Sequence, residues 1–237
     1  MRLRHLAYTQ LVDYAVVSRT QEQLAHRLLA FKANPSTEAP PPIVITTQFR
    51  PVYTCGRREV GFVTPEQERY LRAGGRADFQ EALRGGQTTF HGPGQLVAYP
   101  IIDLKRHGLT ARCYVHLLED VVMGTCKHFG VETRRTSNPG VWVDDDRKIC
   151  AVGVHLRRNV SSHGIGLNVS TDLWWFDRIT ACGLEDKSAT SLTAVGVKGV
   201  TVDQISEVFV DNLRSKLQGV TAVERIELTG EEEHIIG

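Results

Sequence analysis

Apolar residues recur at helical spacing at Leu24, Leu28 and Leu29, and Asn34-Pro35 closes the helix they predict. The proline-rich run PSTEAPPP (Pro35 to Pro42) reads as a loop, because proline lacks an N–H and restricts the residue before it. IVITT (Ile43 to Thr47) then reads as a β-branched strand. The clearest helix is predicted from an N-cap at Thr110 to about Phe129, with a stripe of Tyr114, Leu117, Leu118, Val121, Val122 and Thr125 and a stop at Gly130. A last helix is predicted over Val202 to Leu217, with Ile205, Val208, Phe209, Leu213 and Leu217 on one face before Gly219. Between them QLVAYPI, GVWVDD, KICAVGVHLR and HGIGLNV carry strand signals.

Strands and helices mix without a regular βαβ alternation, so the expected class is α+β. No linker-like stretch interrupts the chain between Pro42 and Val200, which predicts one domain over 1–237, with its core at about 3–217. Residues 219–237 are expected to form a C-terminal tail, and its GEEEHIIG run a solvated end. The opening MRLRHLAYTQLVDYAVVSR has arginines and no acid before Asp13, a weak transit-signal pattern. The regular apolar run from Leu11 to Val17 favours a first strand and helix of the domain instead.

Composition narrows the function classes. The 237 residues are 41% hydrophobic and 23% charged, with a net charge of +1, which gives no basis for broad nucleic-acid or membrane-surface binding. No run approaches the roughly 20 apolar residues of a membrane span. Five cysteines at irregular spacing, none in C-x-x-C, predict free thiols rather than a zinc site or a disulfide framework. Neither a G-x-x-x-x-G-K-[ST] loop nor a G-x-G-x-x-G opening a helix is present.

Four segments could carry chemistry. In RGGQTTFHGPG, Gly85-Gly86 after Arg84 can expose backbone N–H groups to a ligand, and HGPG makes a second turn before a strand. Two plain hairpin turns would have the same sequence. In DDDRKICAVGVHLRR, Lys148 opens a strand, either exposed and inert or desolvated enough to stabilise an anion. In SSHGIGLNV, His163 precedes Gly164 and Gly166, which admit a chain or a ligand near the backbone, although a structural histidine fits equally. In ITACGLEDKSATSL, Cys182 stands between Ala181 and Gly183 at the edge of a polar loop, whereas Cys126 and Cys150 lie in apolar runs. A nucleophilic thiol needs that access, and a nearby cation to depress its pKa.

Taken in order, VYTCGRR, RGGQTTFHGPGQLVAYPIIDL, GVWVDDDRKICAVGVHLRR, SSHGIGLNVSTDLWWF and ACGLEDKSATSL resemble the lipoyl(octanoyl) transferases, over about Leu3 to Leu217. The resemblance implies the mixed, largely antiparallel sheet with packed helices of the biotin and lipoate protein ligase catalytic domain. It implies Cys182 as the nucleophile and Lys148 as the group that lowers its pKa and moves protons. It implies an acyl pocket lined by Arg84, Gly85, Gly86, Gln87, Thr88, Thr89, Phe90 and His91, by Ala151, Val152 and Gly153, and by Gly164, Ile165 and Gly166. The chain departs from the family at Ala181, often proline, and at Gln48-Phe49-Arg50-Pro51, often Glu-His-Pro before VYT.

The implied reaction moves an octanoyl group from acyl carrier protein to a lysine of an apo lipoyl domain, through a cysteine thioester, without metal, cofactor or ATP. Implied acceptors are the E2 subunits of 2-oxoacid dehydrogenases and the glycine-cleavage H protein, with no nucleic-acid or membrane partner. STDLWWF resembles eukaryotic members, so mitochondria are the expected location, with the cytoplasm as the alternative. Two rival readings are an ATP-dependent lipoate or biotin ligase of the same fold, and a catalytically silent acyl-carrier or lipoyl-domain binder.

Overall fold

The structure, a computed structural model, describes residues 1–35, 38–179 and 187–229. In chain order these form β1 (Arg2–Val12), α1 (Tyr14–Ala33), β2 (Ile43–Phe49), β3 (Val52–Cys55), α2 (Pro65–Leu71), β4 (Asp78–Glu81), β5 (Thr89–His91) and β6 (Gln95–Ile101). There follow α3 (Ala111–His128), β7 (Val141–Trp142), β8 (Arg147–Arg157), β9 (Val160–Asn168), β10 (Ser188–Ala189), α4 (Val202–Lys216) and β11 (Ala222–Leu228). Among the described residues the larger sheet has the order β10-β8-β9-β6-β2-β1-β11, with β7 paired to β8, and the smaller one the order β4-β3-β5. From β2 through β6 and β9 to β8 successive strands are antiparallel, while β1 pairs in parallel with both β2 and β11, and β10 with β8. The sheet is therefore mixed.

Local chemistry accounts for the helix ends. Thr110 Oγ1 accepts from the Cys113 N–H at 3.2 Å, which caps α3, and Gly130 beyond its end has φ +78°. Thr201 and Gln204 form a reciprocal capping box that opens α4. The α4 stripe buries Ile205, Ser206, Phe209, Val210 and Leu213, whereas Val208 is only half-buried. Helices α3 and α4 cover one face of the large sheet, where Tyr114, Leu118, Val122, Phe209 and Leu213 meet Leu96, Ala98 and Leu167. Helix α1 covers the other, bringing Tyr14, Val17 and Leu24 onto Ile45, Val97, Tyr99 and Ile101. Alternation along β6 divides the strand between the two cores, Leu96 and Ala98 to one side, Val97, Tyr99 and Ile101 to the other.

Two parts of the sequence reading meet the structure differently. The N-terminal run is β1 and the start of α1, both built into the sheet and its cover. Residues 222–228, assigned to the tail on sequence, form β11, paired from Arg2↔Ala222 to Tyr8↔Leu228. Its charges, half-buried Glu224 and Arg225 and exposed Glu227, suit an edge strand and mask the alternation. GEEEHIIG lies outside the described residues. No described helix is long and apolar enough to cross a membrane.

Candidate active site

On the α1 side of the large sheet, the smaller sheet and the loops around it close over β6, β8 and β9 and leave a cavity of about 200 Å³. Arg84 to Thr89 and His91 form one wall, Ala151 to Gly153 and Gly164 to Gly166 another, and Lys148 lies at one end with Ser188 and Ala189 of β10. The glycines of β8 and β9 provide the space. A Cβ at 153 would stand 3.0 Å from the Gly85 carbonyl oxygen, and one at 166 would stand 3.2 Å from Gln95 Oε1 and 3.4 Å from His91 Cε1.

Arg84 holds the glycine loop. Its guanidinium gives Nε and Nη2 to Thr54 Oγ1, Nη2 also to the Thr54 carbonyl at 2.6 Å, and Nη1 to the carbonyls of Gly85 and Gln87 at 3.1 and 2.9 Å. All five N–H donors are thereby used on neutral oxygens, and burial holds the guanidinium below its usual pKa. Arg84 lines the cavity with its stem and positions the loop with its fork. Glu59 secures the next turn, accepting from the Thr88 N–H and hydroxyl, both at 2.6 Å.

Lys148 is half-buried, with Nζ 4.7 Å from the Trp142 ring centroid. Gly140 (φ +119°) passes so close that a Cβ there would lie 3.3 Å from Lys148 Cε and 2.6 Å from the Cys150 carbonyl oxygen. Its N–H donates to buried Glu119 Oε1 at 3.2 Å, and Arg135 Nε donates to Oε2 of the same carboxylate at 2.7 Å. Cys182 lies outside the described residues. The residues on either side of its segment do not: Ile179 lines the cavity, and Ser188-Ala189 pairs with Arg147-Lys148. Cys126 and Cys150 are buried free thiols whose pKa is raised by burial, Cys126 to about 12.

A hydrogen-bond relay fixes the state of His91. Asn168 Nδ2 donates to the Thr190 carbonyl at 2.9 Å, so Asn168 Oδ1 is left to accept from Gln95 Nε2 at 2.9 Å. Gln95 Oε1 must then accept, at 2.6 Å, from His91 Nδ1–H. The His91 proton is on Nδ1 and a lone pair is on Nε2, which has no partner among the described residues. Burial, with Arg84 nearby, lowers the His91 pKa to about 4, so the ring is neutral. Tyr99 Oη is likewise buried without a partner among the described residues. His163 is structural: Gln21 Oε1 accepts from its N–H at 2.9 Å, and burial lowers its pKa to about 3.

Phe90 corrects the expected lining. Strand β5 alternates, so Thr89 and His91 face the cavity while Phe90 turns away into a cluster with Tyr53, Leu71 and Ala77. There it stacks on Trp175, ring centroids 4.8 Å apart and 4° from parallel. Gln95, Tyr99, Asn168, Arg58, Asn138, Pro139, Phe176 and Ile179 also line the cavity and were not among the expected residues. The two-residue period of QLVAYPI places Gln95 and Tyr99 on one face. Asn138-Pro139 and Arg58 lie in loops, where periodicity carries no signal.

The model of the lipoyl protein ligase A/B catalytic domain matches residues 13–214. A probable octanoyltransferase of Schizosaccharomyces pombe is 45% identical over 91% of this chain and 98% of its own length. The human mitochondrial octanoyl-[acyl-carrier-protein]:protein N-octanoyltransferase is 42% identical over 84% of this chain and 86% of its own. Among solved structures, a lipoate-protein ligase A bound with ATP superposes with a TM-score of 0.67 at 14% identity, covering 98% of this chain and 92% of that one. A bipartite lipoate protein ligase from Thermoplasma acidophilum, solved in a study of it and its E2 lipoyl domain, superposes with a TM-score of 0.65 at 14% identity, over 98% and 90% of the two chains. At that identity the two ligases share the fold.

Proposed function

The chain belongs to the octanoyltransferases of the lipoyl protein ligase A/B catalytic family, and we propose that its cavity is the acyl site of that reaction, with Cys182 as nucleophile and Lys148 as its charge and proton partner. The enzyme moves an octanoyl group from an acyl carrier to a lipoyl-domain protein, and several of its eukaryotic relatives are named as mitochondrial. Octanoyl transfer displaces the ATP-dependent ligase reading, which has only the distant fold likeness behind it.

The observation that carries the site is convergence: Lys148 and residues flanking the Cys182 segment on both sides line one cavity whose walls are the glycine-rich strands. A Cys182 thiolate stabilised by the Lys148 ammonium attacks the thioester carbonyl. The carbon–sulfur bond to the carrier's phosphopantetheine breaks, its sulfur leaves with a proton from the Lys148 ammonium, and an octanoyl-enzyme thioester and a neutral Lys148 amine remain. A lysine amine of the acceptor then attacks that carbonyl and loses a proton to Lys148, and Cys182 departs as an amide forms. Thioester to amide is downhill, so the step needs no nucleotide. The proposed acceptors are the lipoyl domains of 2-oxoacid dehydrogenase E2 subunits and the glycine-cleavage H protein.

Intact mass spectrometry tests the reading. Incubation with octanoyl-carrier protein without ATP is expected to add one octanoyl group, and Cys182→Ser to abolish the adduct. Acylation of the serine variant at the wild-type rate, or an adduct that needs ATP, overturns it.

A further inference from the structure

The acyl groove has a direction. Gln95 pairs with Asn168 and Val97 with Gly166, while Ala151 pairs with Gly166 and Gly153 with Gly164. Lys148 precedes Ala151 by three residues and Gly153 by five, which at the strand rise is roughly 10 and 17 Å. His91 stands over Gly166, which pairs with Ala151. Tyr99 follows Val97 on the same face of β6, further from Lys148, and its ring and that of His91 both stand against Phe49, at centroid distances of 6.3 and 5.8 Å. The groove that starts at the reacting end thus closes on two buried polar atoms without partners among the described residues, His91 Nε2 and Tyr99 Oη.

An alkyl chain cannot satisfy either atom, and a buried polar group left unpaired is costly. The relay through Gln95 and Asn168 makes His91 Nε2 an acceptor, and the phenol supplies an O–H donor. Arg84 cannot serve them, since its donors are all used on Thr54 and the carbonyls of the loop. One small molecule able both to donate and to accept answers the pair, and water is such a molecule.

We propose that His91 Nε2 and Tyr99 Oη hold a water that closes the far end of the groove and makes these two residues the length gauge for the acyl chain. The gauge rests on the octanoyl-transfer reading. A medium chain ends against the water; a longer one must expel it and leave both polar atoms unpaired. A chain ending in a hydroxyl replaces the water and keeps both hydrogen bonds.

The test compares acyl-enzyme formation from carrier proteins charged with octanoyl, dodecanoyl, undecanoyl and the isosteric ω-hydroxydecanoyl chains. Wild type is expected to favour the hydroxy chain over undecanoyl by about tenfold in kcat/KM, the scale of one unpaired polar group. Tyr99→Phe is expected to remove most of that preference and to raise the dodecanoyl-to-octanoyl ratio about tenfold. Should Tyr99→Phe fold poorly, the wild-type preference and the same ratio in His91→Phe decide the matter. Octanoyl transfer with no hydroxy-chain preference and unchanged ratios overturns the gauge alone. Failure of wild type to take any chain overturns the transferase reading and the gauge with it.

Discussion

The Lys148 stem passes the backbone of Gly140 while its ammonium stands over Trp142, so the head group is held by contacts on two sides before any substrate arrives. Lys148→Ala is expected to slow acyl-enzyme formation by about 100-fold or more, the scale of a lost proton-transfer group. The cation–π contact contributes only about 0.5–1 kcal/mol, so the melting temperature should move by a few degrees at most. Stopped-flow acylation and a thermal melt check both, and a near-normal rate over a range of pH removes Lys148 from the chemistry. Gly140→Ala attacks the same point through the backbone. A Cβ 2.6 Å from the Cys150 carbonyl, at φ +119°, forces the turn to move, and about 1–3 kcal/mol of stability should be lost together with activity. At this scale the sequence left Lys148 open between an exposed, inert lysine and one desolvated enough to stabilise an anion, and the family resemblance is what gave it a role. It misplaced Phe90 because a stretch of loop was read as one wall, although its last three residues are a strand with two faces.

The short elements do more of the positioning than the long ones. Strand β10 has two residues, yet it ties the chain that follows the Cys182 segment to Lys148, and β3 and β5 hold the glycine loop against the large sheet. Helices α3 and α4 were legible because their stripes repeat over many turns and carry caps. Strands of two to four residues have no period to read, so the three-stranded sheet escaped notice and VYTC stood out only as a motif. Arg84 shows what that sheet is for: its fork joins Thr54 of β3 to the carbonyls of the loop. Arg84→Lys keeps the charge and loses the five-donor geometry. It is expected to cost roughly 1–3 kcal/mol of stability and to raise KM for the acyl carrier more than it lowers kcat. Urea melts and steady-state kinetics would show it, and a variant with wild-type stability and KM would mean the fork is not what shapes the loop.

At the scale of the whole molecule, the fold class was readable from the mixture of periods, whereas the closure of the sheet by β11 was hidden by the charges of an exposed edge. The interior carries a further property that no motif announces, a set of histidines kept neutral. Burial is the leading cause that takes His5 and His91 to about 4 and His163 to about 3, with Arg225 adding to the effect at His5 and Arg84 at the other two. Each titrates near 6.5 once unfolded, so between about pH 6 and pH 4 the unfolded chain binds protons that the folded chain refuses. Stability is therefore complete above pH 6.5 and falls with acid, by about 1.4 kcal/mol per pH unit for each histidine protonated in the unfolded chain alone. His163 has φ +57°, a conformation asparagine tolerates, so His163→Asn removes one titrating ring with little backbone strain. Its urea-derived stability should decline less steeply than wild type between pH 6 and 4.5, by about one proton's worth of slope. Parallel pH profiles for the two proteins would mean that His163 takes up its proton in the folded state, and that the burial seen around it does not hold the ring neutral.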